Sequence, residues 1–309
     1  MNTTANTVAP ATIGHRVRRS LVLSVVLALT LLLVPDAATP RTDGVLVRVE
    51  GAHAVDAGQE VVWILALGSD ARTGQPVLAS RADAIQLVAL DAQSGHATVI
   101  GIPRDSYVDI PGHGRDKLNA AMVYGGPQLT AQAVAGLVGQ VPDYVFTTSF
   151  RGLQSMISVV GGVEVYSPFA WSTSTARIHR GRNHLNGTEA LAFARMRHAL
   201  PRGDFDRSLD QGRLLAGTLR RVRDVTTEPG QLERLLVSFL KNTDVDLPPG
   251  ELYRLARAVL EIEPQQVQLC PVGGGTGYAG SASVVFPDIG QARSLIRRAS
   301  DDARVEGGC

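Results

Sequence analysis

Seven consecutive apolar residues, Val61-Val62-Trp63-Ile64-Leu65-Ala66-Leu67, stop abruptly at Gly68. A run of this length without alternation reads as a strand covered on both faces, because neither of its sides is suited to water. Two further runs, Ala84 to Leu90 and Ala97 to Ile102, are joined by Asp91-Ala92-Gln93-Ser94-Gly95, a hairpin-like turn. Helices must supply the covering layers. Leu118 to Tyr124 reads as helical and stops at Gly125-Gly126. Pro127 to Val138 resumes, with Pro at the start, where a missing N–H costs little. Tyr144 to Thr148 reads as a strand, Phe150 to Val160 as a helix and Val163 to Tyr166 as a strand, followed by a polar loop from Ser167 to His184. Asn186 and Glu189 form a capping-box pattern for a helix from Gly187 to about Arg197. Phe205 to Arg223, Gly230 to Leu240, Pro249 to Ile262 and Gly290 to Arg298 are further helical stretches, and Gln265 to Leu269 is a strand. Strands and helices alternate without a repeat. The expected fold is a single three-layer α/β/α domain with a central mixed β-sheet over residues 61–300.

At the N-terminus, Arg16, Arg18 and Arg19 precede a 14-residue apolar run, Leu21 to Val34, closed by Pro35-Asp36. Its length fits a signal-peptide core better than a full membrane span, yet Asp36-Ala37-Ala38 is a poor cleavage site. An uncleaved anchor from Ser20 to Ala38, with the arginines kept inside, is the alternative. The expected layout is a cytoplasmic tail (1–19), a membrane segment (20–38), a linker with one edge strand at Val45–Val49 (39–60), the domain, and a C-terminal tail (301–309). On either reading the domain lies outside the cytoplasmic membrane. There a disulfide between Cys270 and Cys309 is permitted, and two free thiols are the alternative.

Arginine and aspartate cluster at the edges of the apolar runs. The clusters are Gly68-Ser69-Asp70-Ala71-Arg72, Arg81-Ala82-Asp83 and Ile102-Pro103-Arg104-Asp105. Downstream come Arg195-Met196-Arg197-His198 and Gly203-Asp204-Phe205-Asp206-Arg207. Arginine offers a planar fork of donors suited to phosphate oxygens, and aspartate is a hard ligand suited to magnesium. Only Lys117 and Lys241 are lysine, leaving 28 of the 30 basic residues arginine. A GC-rich genome explains that bias, so position and not abundance must carry the argument. Two carboxylates such as Asp70 and Asp83 at neighbouring strand ends repel unless a cation or arginines lie between them. Arg195 and Arg197 point to different sides if both are helical. Asp105 and His198 are candidate bases, and Lys117 with Asn119 is a weaker signal. The net charge of +1 and the lack of a basic recognition helix argue against nucleic acid. There is no Walker loop, no nucleophile elbow and no metal-spaced histidine pair. Gly273 to Gly277 reads as a flexible turn.

The ordered motifs LGSDAR (67–72), RADAI (81–85), IPRDSYVDIPGHGRDKLNAAMVYGG (102–126), GLQSMISVVGGVEV (152–165), LNGTEALAFARMRH (185–198) and GDFDR (203–207) resemble the LytR-CpsA-Psr family of cell-envelope proteins. The resemblance covers about residues 61 to 220. It implies a metal-dependent phosphotransferase, using Mg2+ or Mn2+, with pyrophosphatase as a side activity. Such a protein moves a glycopolymer from a polyprenyl-pyrophosphate carrier to peptidoglycan through a phosphodiester bond. It would be anchored by a single span in the cell membrane with its catalytic domain outside. By motif, Asp70 and Asp83 would hold the metal, and Arg72, Arg81, Arg104, Arg195, Arg197 and Arg207 would grip the pyrophosphate. Asp105 would orient Arg104 or assist proton removal. An apolar tunnel between sheet and helices would take the lipid, with Leu118, Met122, Leu153, Met156, Ile157 and Leu191 as lining candidates. One departure stands out: Asp210 occupies a position where the family usually has arginine, with Arg213 three residues on. A lipid-binding protein without transferase activity is the alternative that Asp210 motivates. The additional C-terminal domain of some members is not expected.

Overall fold

The computed structural model describes residues 42–55, 61–72 and 75–309. The expected tail and membrane segment lie outside the described residues. Among the described residues no helix is long and apolar enough to cross a membrane.

In chain order the strands of the main sheet and its neighbours are β1 (Gly44–Arg48), β2 (Val62–Ser69), β3 (Ala82–Asp91), β4 (His96–Gly101), the hairpin β5 (Tyr107–Ile110) and β6 (Gly114–Lys117), and β7 (Tyr144–Thr148). Then follow β8 (Val163–Ser167), the short β9 (Trp171–Ser172) and β10 (Arg177–Ile178), β11 (Gly181–Leu185), β12 (Thr243–Asp246), β13 (Val267–Pro271), β14 (Gly274–Ala279) and β15 (Ala282–Pro287). The helices are α1 (Ala121–Val138), α2 (Phe150–Val159), α3 (Gly187–Arg195), α4 (Asp204–Val225), α5 (Gln231–Leu240), α6 (Pro249–Glu261) and α7 (Ile289–Ala299).

Seven strands form one mixed sheet in the order β12-β1-β7-β2-β3-β4-β13. The apolar runs sit at its centre, as expected of strands with both faces covered. On β2, Trp63, Leu65 and Leu67 pack with α1 and α7, together with Leu87, Val145, Val134 and Leu295. Val62 and Ile64, on the opposite face, pack towards α6 with Leu46, Leu90, Leu252 and Leu255. A third cluster, around Ile157, Val163, Leu185 and Phe193, joins α2 and α3 to the β8–β11 pair. Each fully buried leucine or isoleucine in these layers contributes roughly 1.5–3 kcal/mol.

Local signals account for several boundaries. Asn186 Oδ1 accepts from the backbone N–H groups of Thr188 and Glu189 at 2.9 and 3.1 Å, and Glu189 Oε2 accepts from Asn186 N–H at 3.0 Å. Inside α1 the path breaks at Gly125 and Gly126, the latter at φ +64°, which is the stop expected there.

Several expectations need correction. The stretch assigned to a linker with an edge strand supplies β1, which lies inside the sheet between β12 and β7. It is covered at its outer side by β12, whose polar Thr243-Asp244-Val245-Asp246 gives no apolar signal. The glycine run from Gly273 forms β14, paired with β15 from Gly274 through Ala279, because β15 provides a complete ladder of partners. The polar loop from Ser167 contains β9, β10 and β11. The C-terminal tail is packed, with Ala303 and Val305 fully buried and Cys309 joined to Cys270 in a disulfide.

Candidate active site

β2 and β3 pair antiparallel until their ends, where Gly68 faces Ala84 but Ser69 faces Ala82. Asp83 is the extra residue of this bulge. A bulge re-aims the side chain it carries, and Asp83 meets the guanidinium of Arg104, just beyond β4, in a close ion pair. A Cβ on Gly68 would come within 2.9 Å of the Ala84 Cβ, so the two strands approach too closely here for a larger residue.

The far wall comes from α3 and α4. Asp204, Arg207 and Gln211 fall on one side of α4 by their three- and seven-residue spacing. Gln211 donates to the Ala194 carbonyl at 3.1 Å and more weakly to the Asp83 carbonyl at 3.4 Å, tying the end of α3 and the bulge to α4. Gln86 in turn donates to the Ser208 carbonyl and to Gln211 Oε1 at 3.1 and 3.2 Å. These glutamines gave no sequence signal, since the contacts linking Gln86 and Asp83 to α4 span more than a hundred residues and no local pattern marks them. α3 ends at Arg195, and Met196 is extended at φ −59°, ψ 132°. The helical rule that would splay Arg195 from Arg197 therefore lapses, and both line the same cleft.

That cleft has a volume of about 270 Å³ and is walled by Asp83, Arg104, Arg195, Arg197, His198 and Arg207, with Thr148 from the end of β7 and Ser149 and Phe150 from the start of α2. The Arg195 guanidinium lies 4.5 Å over the Phe150 ring, a cation–π contact that fixes an otherwise exposed side chain. α2 brings the positive end of its dipole to the same wall, its first turn capped by Ser149 Oγ, which accepts from Gly152 N–H at 3.0 Å.

Asp204 gathers the arginines. Its Oδ1 lies 2.8 Å from Arg207 Nη2 and 3.9 Å from Arg197 Nη1, while its buried Oδ2 has no hydrogen-bond partner among the described residues. Burial pushes the Asp204 carboxyl above the usual carboxylate range, against the pull of Arg207, Arg104 and Arg197. Burial likewise lowers the Arg207 guanidinium, with Asp204 opposing and Arg104 adding to the shift. Burial acts to lower Arg104 too, but Asp83 outweighs it and holds the guanidinium above its ordinary range. Four guanidiniums and one carboxylate on the walls leave a strongly cationic, partly dehydrated pocket. Its chemistry suits a multiply charged oxyanion.

The other expected residues fall beside the cleft, not on its walls. Asp105 accepts an ion pair from Lys117 Nζ at 3.1 Å and lies 4.0 Å from Arg104 Nε, so it braces the loop that carries Arg104. Asp70 N–H donates to the Arg81 carbonyl at 3.0 Å, and its carboxylate makes no ion pair among the described residues. Arg81 is exposed, and its charge acts on Asp116 and Tyr124 over the β5–β6 hairpin. Arg72 is exposed in the loop after β2. Asp210, expected near the anion, is instead buried off the cleft walls, with Arg213 Nη1 at 2.6 Å. It lies about 60° or more around α4 from the side carrying Asp204, Arg207 and Gln211.

Among the described residues no group of three or more histidines, cysteines or acids gathers as a metal cage. Carboxylates such as those of Asp70 and Asp83 are of the ligand type magnesium takes, an ion that needs few protein ligands and completes its shell with phosphate oxygens and water. Asp70 brings a carboxylate without a partner among the described residues, and Asp83 keeps Oδ2 beyond its pair with Arg104.

On the face of the sheet that carries Gly68 and Ala84 lies a second cavity of about 440 Å³, almost wholly apolar, lined among others by Ile64, Phe146, Met156, Leu219, Leu236 and Phe239. Thr148 borders both cavities, so the cationic cleft and the apolar chamber meet at the end of β7. Of the proposed tunnel residues only Met156 lines this chamber. Leu153 and Leu191 line the cleft, Ile157 belongs to the α2–α3 core, and Leu118 and Met122 are core residues under α1.

A three-layer α/β/α sandwich with a mixed sheet and an arginine-walled cleft at its strand ends defines the structural class. The chain belongs to the LytR_cpsA_psr family, whose model matches residues 40–299. It is similar to the polyisoprenyl-teichoic acid–peptidoglycan teichoic acid transferase TagU of Bacillus cereus (strain ZK / E33L), 29% identical over 199 residues. That stretch is 64% of this chain and 64% of the relative, so the chain spans less than two-thirds of that protein's length. The TagU of Enterococcus faecalis (strain ATCC 700802 / V583) is 28% identical over 225 residues, 71% of this chain and 72% of the relative. Among solved structures, TagV of B. subtilis superposes with a TM-score of 0.66 at 26% identity, covering 80% of this chain and 99% of that one. TagT bound to LIIa-WTA shares the fold at a TM-score of 0.65 and 23% identity, over 82% of this chain and 97% of that one.

Proposed function

We propose that this protein transfers a glycopolymer from a polyprenyl-pyrophosphate carrier to peptidoglycan, forming a phosphodiester bond. The observation that carries the reading is the junction at Thr148, where a cleft walled by Arg104, Arg195, Arg197 and Arg207 opens beside an apolar chamber. A diphosphate with a long hydrocarbon tail needs both environments side by side. The relatives named as teichoic acid transferases support the same reaction class.

In this reading the four guanidiniums hold the diphosphate, and Asp204 keeps Arg207 and Arg197 gathered before substrate arrives. An acceptor hydroxyl forms a bond to the glycan-side phosphorus while the P–O–P bridge breaks and polyprenyl phosphate leaves. Asp83 and His198 are the wall residues with lone pairs able to take the hydroxyl proton. Asp105 acts at one remove, by positioning Arg104 and Lys117. Phosphoryl transfer needs mainly alignment and charge neutralisation, which this wall supplies. Asp70 and Asp83 would hold magnesium or manganese, which when bound adds neutralising charge at the diphosphate. The arginine-flanked apolar run, Leu21 to Val34, would keep the domain at the outer face of the cytoplasmic membrane, beside a lipid-borne donor. The binding-only alternative loses its motive, because Asp210 is not on the wall.

The test is turnover of a polyprenyl-pyrophosphate donor by the purified chain with magnesium present. Arg104→Ala and Asp83→Ala are each expected to reduce turnover by about a hundredfold or more, the usual loss when one transition-state donor is removed. Unchanged turnover in both variants would sink the site assignment.

A further inference from the structure

Between Glu164 and Glu189 the chain has no acidic residue, yet it carries Arg177, Arg180 and Arg182 with His179 and His184. In a chain of net charge +1 this is a pronounced local excess. The structure gives the segment a fixed shape. Arg177 lies in β10 and Arg182 in β11, and the buried Asn183 closes the turn between them. Its Oδ1 accepts from His179 N–H at 2.8 Å, and its Nδ2 donates to the carbonyls of His179 and Gly181 at 2.8 and 2.9 Å. The turn is thus held from beneath while the three arginines and two histidines are exposed. Among the described residues none of the three guanidiniums makes a hydrogen bond or ion pair. The bordering acid, Glu164, lies 3.1 Å from His184.

β11 leads directly through Asn186 into α3, and α3 ends at Arg195 on the cleft wall. That helix spans about 12 Å. A polymer whose carrier end sits in the cleft would reach this strip within a few repeat units.

We propose that the strip Arg177–Arg180–Arg182 binds the donor glycopolymer along its length, and that this polymer is a polyanion bearing phosphate or carboxylate groups. The inference rests on the reading of the cleft as the diphosphate site and narrows its substrate class. Unpaired guanidiniums at intervals along a rigid turn match repeating anionic groups, and a neutral glycan offers them no counter-charge. A bilayer also attracts arginines, but interfacial docking draws on apolar side chains set among the basic ones. Here Tyr166, opposite Arg182 on β8, is the large apolar side chain exposed beside the strip, while Val159, Val237 and Leu240 are exposed on α2 and α5.

The test uses the detergent-purified full chain and a variant carrying Arg177→Ser, Arg180→Ser and Arg182→Ser. Each is titrated with carrier-free poly(glycerol phosphate), with dextran of matched length and with phosphatidylglycerol bicelles, at two salt concentrations. The expected result is salt-sensitive binding of poly(glycerol phosphate) that weakens about tenfold in the variant, with no binding of dextran. Equal polymer binding by both proteins, equal binding of dextran, or arginine-dependence confined to the bicelles would each overturn the proposal. Arg177, Arg180 and Arg182 do not line the cleft, so the binding lost in the variant reports the strip alone. A chain that binds the polymer through the strip but turns over no donor counts against the cleft reading and leaves the strip intact.

Discussion

Asp210 is fully buried on a side of α4 away from the cleft, with Arg213 at 2.6 Å as its partner. Burial raises its carboxyl to about 6, with Arg213 opposing and Asp206 adding to the shift. An acid whose folded pKa exceeds its unfolded one binds a proton more tightly when folded. Its stabilising contribution is therefore complete below about pH 4 and is lost as the pH rises through 6. From pH 4 to 7 that loss is on the order of 3 kcal/mol for this one group. Asp210→Asn removes the titration. Urea midpoints across pH 4 to 7 should show the wild type losing ground to the variant as the pH rises. A constant difference between them would mean that Asp210 stays ionised throughout, held by Arg213. Either outcome is a matter of stability, because Asp210 is buried and does not line the cleft.

At the scale of elements, α4 organises the molecule, since it walls the cleft with one side and packs on β8 with another. Gly217 marks the second contact: a Cβ there would lie 2.4 Å from the Glu164 carbonyl oxygen. Two effects oppose each other in Gly217→Ala. Helix propensity favours alanine by about 1 kcal/mol, but the obstacle is backbone, and overpacking of this kind costs about 1–3 kcal/mol. The clash should win, so the variant is expected to unfold more readily by chemical denaturation, by up to about 2 kcal/mol. A more stable variant would show that β8 can move away freely. Elements such as β2, β3, β7 and α3 were legible in the sequence because each has a local cause: a doubly buried apolar run or a capping box. β12, the β5–β6 hairpin and β14 were not, because their residues are polar or glycine and only a partner strand holds them extended. The site divides the same way. Arg104, Arg195, Arg197, Arg207 and Asp83 stood out by type and spacing. The bulge that turns Asp83, the Asp204 counter-charge and the Gln86–Gln211 link depend on register and distant packing, which no local pattern records.

At the scale of the whole molecule, the chain's last residue is fastened to the sheet. Cys309 is bonded to Cys270, near the end of β13, across a sequence separation of 39. β13 is an edge strand beside β4, and residues 303–305 pack against the same edge. Thr98 on β4 donates to the Ala303 carbonyl at 2.8 Å, and Gln268 on β13 accepts from Val305 N–H at 2.7 Å. The tail thus makes native contacts that survive reduction, so reduction acts mainly by freeing the unfolded chain. Loop-closure entropy for a ring of this size corresponds to about 4 kcal/mol. In a domain of this size each kilocalorie shifts the melting temperature by roughly 2–4 °C. Cys270→Ser with Cys309→Ser should therefore melt about 8–16 °C below the oxidised wild type, and reduced wild type should fall with it. Donor turnover well below that transition should be unchanged, because neither cysteine lines the cleft or the apolar chamber. A melting temperature unaffected by reductant would show that the tail contacts alone hold this edge and that the unfolded chain gains little freedom without the bond.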